Sequence, residues 1–328
     1  MTDKKQVALL YGGRGFEHSV SVAGAKNLIS LIDTERYALF PVLIDKNGKL
    51  SLRSPGSTER GVSLTPTVGG FLTDGGEYIR IDCAFPLLHG DFGEDGTVQG
   101  LLSFLDIPYV GADTRASAIC IDKAVTKSVA EALGIPTVKW RLITDRSHRD
   151  IALPAFIKPD CLGSSYGASE AKTRGELERA IDVAADLGAG RVLAERAVSP
   201  LRELECAYFS AQGERIFTDA GEILCDGFYS YDKKYSSHAA ASTPRASISR
   251  ELSERIREYS RALCDFIGIR HLARVDFFLS GEELFFNEIN TMPGMTETSL
   301  YFRLLESHGI SAREATSRLI SDAIGGAL

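Results

Sequence analysis

The apolar run "VALLY" (Val7–Tyr11) passes directly into "GGRGFEHSVS", a glycine-rich turn from which a helix over Ser19–Ile32 is expected. This strand-to-helix step constrains the fold more than any other local feature, and it recurs. Tyr37–Ile44 reads as a second strand, followed by a loop rich in Gly, Ser and Thr. Cys83–His89 reads as a third, buried strand, Val98–Leu105 as a helix, and "LDIPYVGAD" closes the unit with a short strand. Such alternation predicts a parallel sheet with helices on its faces, an α/β (α+β) fold class. Strand, glycines and helix start are also the ingredients of a phosphate site. A dinucleotide fingerprint needs G-x-G-x-x-G, however, and His18 stands where the third glycine belongs after Gly13 and Gly15. No G-x-x-x-x-G-K-[ST] occurs anywhere in the chain. Gly12, Gly13 and Gly15 therefore either make a tight turn and nothing more, or bring Glu17 and His18 to a site.

A second unit begins near Thr114. It reads as a helix over Ile121–Leu133 stopped by Gly134 and Pro136, then a strand over Leu153–Lys158 ended by Pro159. Thr173 and Glu176 have capping-box spacing for a helix to about Leu187, and Arg191–Arg196 and Glu203–Phe209 read as strands. In a third region, from residue 210, Leu252, Ile256, Tyr259, Leu263 and Phe266 mark an amphipathic helix closed by Gly268. "LARVDFFL" and "LFFNEIN", joined at "SGEE", predict a β-hairpin, and Ser311 with Glu314 caps a last helix. The expected division is 1–115, 116–209 and 210–328.

The chain has 328 residues, 44% apolar and 25% charged, with net charge −7 and pI near 5.5. It lacks a long basic run, which argues against nucleic acid or an anionic membrane as partner. The six cysteines are scattered without a C-x-x-C pair, as for reduced thiols. "MTDKK" leads into a strand without an apolar signal core, and no stretch approaches a membrane span, so a cytoplasmic location is expected.

Three stretches carry chemistry. In the hairpin, period-2 alternation places Arg274, Asp276 and Phe278 on one face of the first strand, and Phe286, Glu288 and Asn290 on one face of the second. The "GEE" turn sets Asp276 opposite Glu288 and Arg274 opposite Asn290. Two adjacent carboxylates repel unless a cation neutralises them, and Asp, Glu and Asn are hard oxygen ligands suited to Mg²⁺. The competing reading is a solvated face bridged by Arg274, against which stand the large apolar flanking residues. In "FIKPDCLGSSYG" a strand ending at Lys158 meets a Gly-Ser-Ser loop, a cradle for an anion. Gly163, Ser165 and Gly167 also match the G-x-S-x-G nucleophile elbow of hydrolases, which needs a helix starting at the elbow. "FYSYDKKY" (Phe228–Tyr235) is either an exposed loop or a flap bringing Lys234 and Tyr235 over a phosphate and a substrate.

In chain order, "EHSVS", "HGDFGEDGTVQG", "IKPDCLGSSYG", "YSYDKKY", "RVDFF" and "NEINTMPGMT" together resemble the D-alanine–D-alanine ligases of the ATP-grasp superfamily, from about residue 5 to residue 325. The resemblance implies an N-terminal α/β domain that binds the first D-alanine and a two-lobed ATP-grasp fold behind it. It also implies a homodimer, and cofactors ATP and two Mg²⁺, with Mn²⁺ as an alternative. In such enzymes ATP phosphorylates the carboxylate of one D-alanine, and the amine of a second attacks the acyl phosphate. By motif, Asp276, Glu288 and Asn290 hold the metals. Lys123, Lys158, Ser165 and Lys234 meet phosphates. Glu195, Arg196 and Val198 form the adenine hinge, and Glu203 and Phe278 complete the nucleotide site. Glu17, in a network with Ser164 and Tyr235, takes the first D-alanine's ammonium. Arg274 and the Gly294 N–H stabilise the oxyanion. Ser299 and Leu300 contact the second D-alanine, and His89 lines the pocket. Arg196 replaces a usual lysine, and Phe302 a common proline near the second subsite, where it bears on acceptor choice.

Rival functions remain on the sequence alone. A resistance-type D-alanine–D-serine ligase shares the scaffold, whereas a D-lactate-using enzyme is disfavoured by Lys234–Tyr235. A hydrolase would need covalent trapping at Ser165 without ATP. A catalytically silent nucleotide-binding module would have lost a metal ligand. On the flap reading, Tyr235→Phe is expected to raise ATP hydrolysis uncoupled from ligation, because an acyl phosphate must be kept from water. Unchanged coupling of ADP to dipeptide would remove the flap assignment.

Overall fold

In the computed structural model, which describes residues 4–146, 150–224 and 241–326, the first region comprises β1 (Lys5–Gly12), α1 (His18–Leu31), β2 (Tyr37–Ile44), β3 (Leu50–Leu52), β4 (Val62–Thr67), β5 (Gly70–Thr73), β6 (Tyr78–Arg80), β7 (Cys83–Leu87) and α2 (Thr97–Phe104). One sheet contains all seven strands in the order β6-β5-β4-β3-β2-β1-β7. β1 runs parallel to β2 and β7, as the strand–helix alternation predicts. The Gly/Ser/Thr-rich segment expected as loop instead supplies the antiparallel strands β3 to β6, so the sheet is mixed. Those strands are short, and β3 and β6 carry no fully buried residue, so periodicity gave little signal. The expected short strand in "LDIPYVGAD" is reduced to a single parallel bridge between Tyr109 and Ala84.

Next come α3 (Thr114–Ile121), α4 (Lys123–Ala132), β8 (Trp140–Ile143), β9 (Ala155–Pro159), β10 (Ser169–Ala171), α5 (Arg174–Leu187) and β11 (Val192–Arg196). The helix expected over Ile121–Leu133 is in fact two. Asp122 adopts an extended conformation, ends α3 and caps α4 by accepting from the Val125 N–H. Strands β10-β9-β11-β8 form an antiparallel sheet against which α5 buries Leu177, Ile181 and Ala184. The Thr173–Glu176 capping box is present as read.

The last region contains β12 (Arg202–Ala211), β13 (Glu214–Phe217), β14 (Gly221–Leu224), β15 (Ala241–Thr243), α6 (Arg250–Ile267), β16 (Leu272–Ser280), β17 (Glu283–Asn290), α7 (Leu300–Glu306) and α8 (Ala312–Gly325). Its sheet runs β15-β14-β12-β16-β17, with β13 beside β12. Two expectations change. β12 was read as part of the 116–209 unit, but it pairs along its length with β16, so a division at 209/210 would cut a strand of this sheet. Likewise Ala116, Cys120 and Ala130 of α3 and α4 pack with Val275, Phe277 and Phe286 under this sheet. Backbone pairing and apolar burial, rather than order along the chain, assign these segments.

The first sheet and the last share a core. Leu9, Tyr11 and Phe85 join Phe209, Tyr301 and Leu304 in one buried cluster. Asn27 on α1 donates to the Met295 carbonyl at 2.8 Å. The carboxyl ends of β1 and β7 therefore face the loop after β17, which is where ligands sit in open α/β sheets. The turn leaving β1 depends on Gly12, with φ +93; a Cβ there would lie 2.4 Å from the Ile44 carbonyl oxygen and 2.8 Å from Leu43 Cδ1. Gly12→Ala is expected to destabilise the protein by on the order of 2 kcal/mol or more, combining left-handed backbone strain with a backbone clash. Urea-induced unfolding measures it; a loss below about 0.5 kcal/mol would show that the turn relaxes freely.

Candidate active site

Glu17 ends the β1–α1 turn and is nearly buried, so its carboxylate needs partners. The Ser164 hydroxyl, from the loop after β9, donates to Glu17 Oε1, joining positions 147 residues apart. Ser164 and Ser165 both take positive φ, 52 and 57, and they line different clefts. A Cβ on Gly90 or Gly163 would lie 2.6 or 2.8 Å from Glu17 Oε2, so these glycines are what let the carboxylate in. His18, paired with Glu17 in the sequence reading, instead hydrogen-bonds the Gly13 carbonyl at 2.7 Å and holds the turn.

The hairpin has the expected register at its site end, with Asp276 opposite Glu288 and Arg274 opposite Asn290. A bulge between Asp276 and Phe277 then shifts the pairing, so Phe277 faces Phe286. This corrects the expected alternation. Phe286 turns into the core, its ring 6.1 Å from that of Phe277 and edge-on, while adjacent Asn287 and Glu288 both line a cleft. Arg274 lies along Asp276 in a two-pronged contact of 2.7 Å per bond, and Nε is 3.3 Å from Glu205 Oε1. Asn290 donates to Asp276 at 3.0 Å. The arginine pairing of the competing reading is thus real, but the face is covered: Arg274 and Asp276 are only 19% and 13% exposed. Burial opposes the Arg274 charge, yet Asp276 and Glu205 outweigh it and keep the guanidinium protonated.

Two clefts meet at this hairpin. The first is lined by Lys123, Phe156, Lys158, Ser165, Glu203 and Phe278, together with Asp276, Asn287 and Glu288. Lys123 is 3.5 Å from Glu288 and donates to the Leu162 carbonyl at 2.6 Å. Lys158 donates to Asn287 Oδ1 at 3.1 Å and pairs with Glu195 at 3.0 Å. The second cleft is lined by Glu17, His89, Ser164, Asn290, Gly294, Ser299 and Leu300. Glu205, Arg274 and Glu288 belong to both. Buried His89 Nε2 has no hydrogen-bond partner among the described residues, and burial lowers its proton affinity against the pull of Glu17.

Most of the expected residues are brought together here. Glu195 is turned to Lys127 and Lys158, its burial outweighed by the two ammoniums that hold it below the ordinary carboxylate range. Exposed Arg196 packs its guanidinium over the Phe285 ring, and Val198 is half-buried. Phe302 enters the core and lines neither cleft. Lys234 and Tyr235 lie outside the described residues. No helix starts at Ser165; the loop turns into β10, so the nucleophile-elbow geometry is missing. Sequence reasoning missed Glu205, Glu94 and Asn287. Period-2 spacing from Glu203 on β12 points to Glu205, whereas Asn287 enters only through the bulge.

Comparison with known proteins agrees with this geometry. The family profile described as "D-ala D-ala ligase N-terminus" matches residues 6–112, and "D-ala D-ala ligase C-terminus" matches residues 129–321. A D-alanine–D-alanine ligase of Bradyrhizobium sp. is 37% identical, over 97% of this chain and 95% of the relative. The solved D-alanine–D-alanine ligase of Coxiella burnetii superposes with TM-score 0.88 at 28% identity, covering 99% and 95% of the two chains. The VanG D-Ala:D-Ser ligase of Enterococcus faecalis gives 0.86 at 29%, covering 98% and 100%.

Glu94 ties the two walls of the second cleft. Its oxygens accept from the Gly90 N–H at 2.9 Å and the Met292 N–H at 3.2 Å. Burial, then the neighbouring Glu17, push its carboxyl up to about 8. Such a group holds its proton longer in the folded chain than in the unfolded one. The stability it contributes is therefore present in acid and lost as pH climbs from the ordinary carboxylate range through about 8. Glu94→Gln is expected to melt below the parent at about pH 5 and to close that gap by about pH 8.5. A gap independent of pH in calorimetry would show that Glu94 does not titrate in this window.

Proposed function

Since the chain belongs to the D-alanine–D-alanine ligase family, we propose that its two clefts divide the reaction, with ATP in the first and two D-alanines in the second. The enzyme is a ligase that makes D-alanyl-D-alanine for peptidoglycan. The observation that carries the division is the shared wall: Glu205, Arg274 and Glu288 line both clefts, so a phosphoryl group in one borders a carboxylate in the other.

The first D-alanine sets its ammonium on Glu17, held by Ser164, and its carboxylate towards Arg274. Its carboxylate oxygen attacks the γ-phosphorus of ATP and the bond to ADP breaks, giving the acyl phosphate. Lys123, Lys158 and Ser165 hold the phosphates while the phosphoryl group passes from ADP to the carboxylate and negative charge builds on the departing ADP. The second D-alanine lies by Ser299 and Leu300, and its neutral amine attacks the acyl carbon. The oxyanion that forms is met by Arg274 and the Gly294 N–H; phosphate then leaves and the amine nitrogen loses a proton. The Ser299 hydroxyl, fixed by the Thr296 N–H at 3.0 Å and the Thr296 hydroxyl at 2.8 Å, sits at the mouth of that subsite. Glu203 and Phe278 flank the nucleotide, with Glu195, Arg196 and Val198 at the adenine hinge. By motif Lys234 goes to a phosphate and Tyr235 to the Glu17–Ser164 network; both lie outside the described residues.

Asp276, Glu288 and Asn290 fit a divalent cation. They are three oxygen donors at adjacent register positions on a covered face, and Arg274 and Lys123 answer their charge in its place. These residues would hold Mg²⁺, with Mn²⁺ as an alternative, which would supply neutralisation of phosphate charge. We also assign the chain a homodimeric state and a cytoplasmic location, which sedimentation and fractionation test.

Asp276→Asn and Glu288→Gln are each expected to cut ADP release with D-alanine and Mg²⁺ by roughly a hundredfold or more. Near-normal turnover would remove the metal assignment. Mass analysis of products from ATP with D-alanine, alone and with D-serine or D-lactate, tests the acceptor. The reading expects D-alanyl-D-alanine as the main product; a dominant mixed product would assign a different acceptor.

A further inference from the structure

Lys127 lies one turn beyond Lys123 on α4, and its side chain is completely buried. It lines neither cleft, and no step above uses it. Its Nζ is 2.8 Å from Glu195 Oε1, while Glu195 Oε2 is 3.0 Å from Lys158 Nζ. Nζ also reaches the Phe286 carbonyl at 3.5 Å, the residue before the bulged Asn287. α4, β11, β9 and β17 are thereby joined through one carboxylate. Burial pulls the Lys127 ammonium below the usual lysine range, and adjacent Glu195 opposes that pull.

Burying a third ionic group is costly, and an apolar side chain would fill the same space at less cost. The charge count shows what it does. Lys123 is answered by Glu288 at 3.5 Å. Lys158 alone against Glu195 would form a second neutral pair, so neither lysine of this cleft would bring an unmatched charge to a phosphate. With Lys127 present, two ammoniums share one carboxylate. One positive unit is left over, and Lys158 is the member of the pair that faces the cleft.

We infer that Lys127 is a positioning residue for triphosphate recognition: it takes up the Glu195 charge from behind, so that Lys158 presents its own to the phosphates beside Asn287. This rests on reading the first cleft as the nucleotide site. Its signature is selectivity for phosphate, because a lysine that only packs the core would affect any adenine ligand alike.

The test is calorimetric titration of the full chain, with Mg²⁺, by ADP and by adenosine. Lys127→Gln keeps a hydrogen-bond donor but removes the charge. It is expected to weaken ADP binding by about tenfold, the order of one partly screened charge, and to leave adenosine unchanged. Glu195 also stands at the adenine hinge, so the double variant with Glu195→Gln is read as the ratio of ADP to adenosine affinity, in which a loss at the hinge cancels; that ratio is expected to return towards the parent's. Lys127→Met carries the same comparison should the glutamine variant fail to fold. Equal weakening of ADP and adenosine, no weakening of either, or a double variant whose ratio stays as low as the single's would each overturn the inference. If the unmodified chain bound neither ligand, the nucleotide-site reading would fall as well.

Discussion

Asp276 and Glu288 stand opposite each other across β16 and β17, and the repulsion between two carboxylates in a covered cleft governs what surrounds them. Arg274 answers Asp276 at 2.7 Å, Lys123 answers Glu288 at 3.5 Å, and the pair offers oxygen ligands for a divalent cation. Each cation comes from a different place. Arg274 shares the strand with Asp276, while Lys123 is brought in by α4, which packs against β17. The start of α4 is in turn pinned by Asp122 and by the fully buried Asp160, whose carboxylate accepts from the Ala124 N–H at 2.9 Å. Arg191 bridges the two aspartates, so an ion-pair network outside the clefts fixes the height of a lysine inside one.

The bulge in the hairpin has a chemical consequence. Strict alternation would have sent either Asn287 or Glu288 into the core. One extra residue lets both face the first cleft, where Asn287 holds Lys158 at 3.1 Å and Glu288 meets Lys123. The displaced Phe286 fills the core against Phe277. A local irregularity thus converts a structural strand into one that meets two lysines with adjacent residues. The loop after β9 uses a related device: Ser164 and Ser165, both at positive φ, reach the second and the first cleft respectively from one short turn.

Much of this was legible in the sequence because the relevant patterns are short-range. The hairpin register follows from two apolar runs and a tight turn. The α5 cap follows from Thr173 and Glu176, and the Glu17 motif was separated from a nucleotide loop by one missing glycine. Less legible were features decided by partners distant in the chain. Asp122 splits one expected helix into two by capping, and β12 joins β14 and β16 rather than the sheet of β9 and β11 that precedes it. Lys127 carries no motif, and Glu94, although inside "HGDFGEDGTVQG", has nothing local to mark it out, since a lone lysine on an amphipathic helix and one acid in a glycine-rich loop usually face water.

By itself, the sequence determined most of the helices, the longer strands, the family resemblance and the candidate set of acids, lysines and serines, because propensity, capping and alternation act within a few residues. Only the tertiary structure decided which charges meet. Lys127 and Lys158 share Glu195, Ser164 closes on Glu17, and Glu205, Arg274 and Glu288 border both clefts. These pairings depend on burial and on bringing together segments far apart in the chain, and burial gives a charge its strength by removing the water that would otherwise screen it.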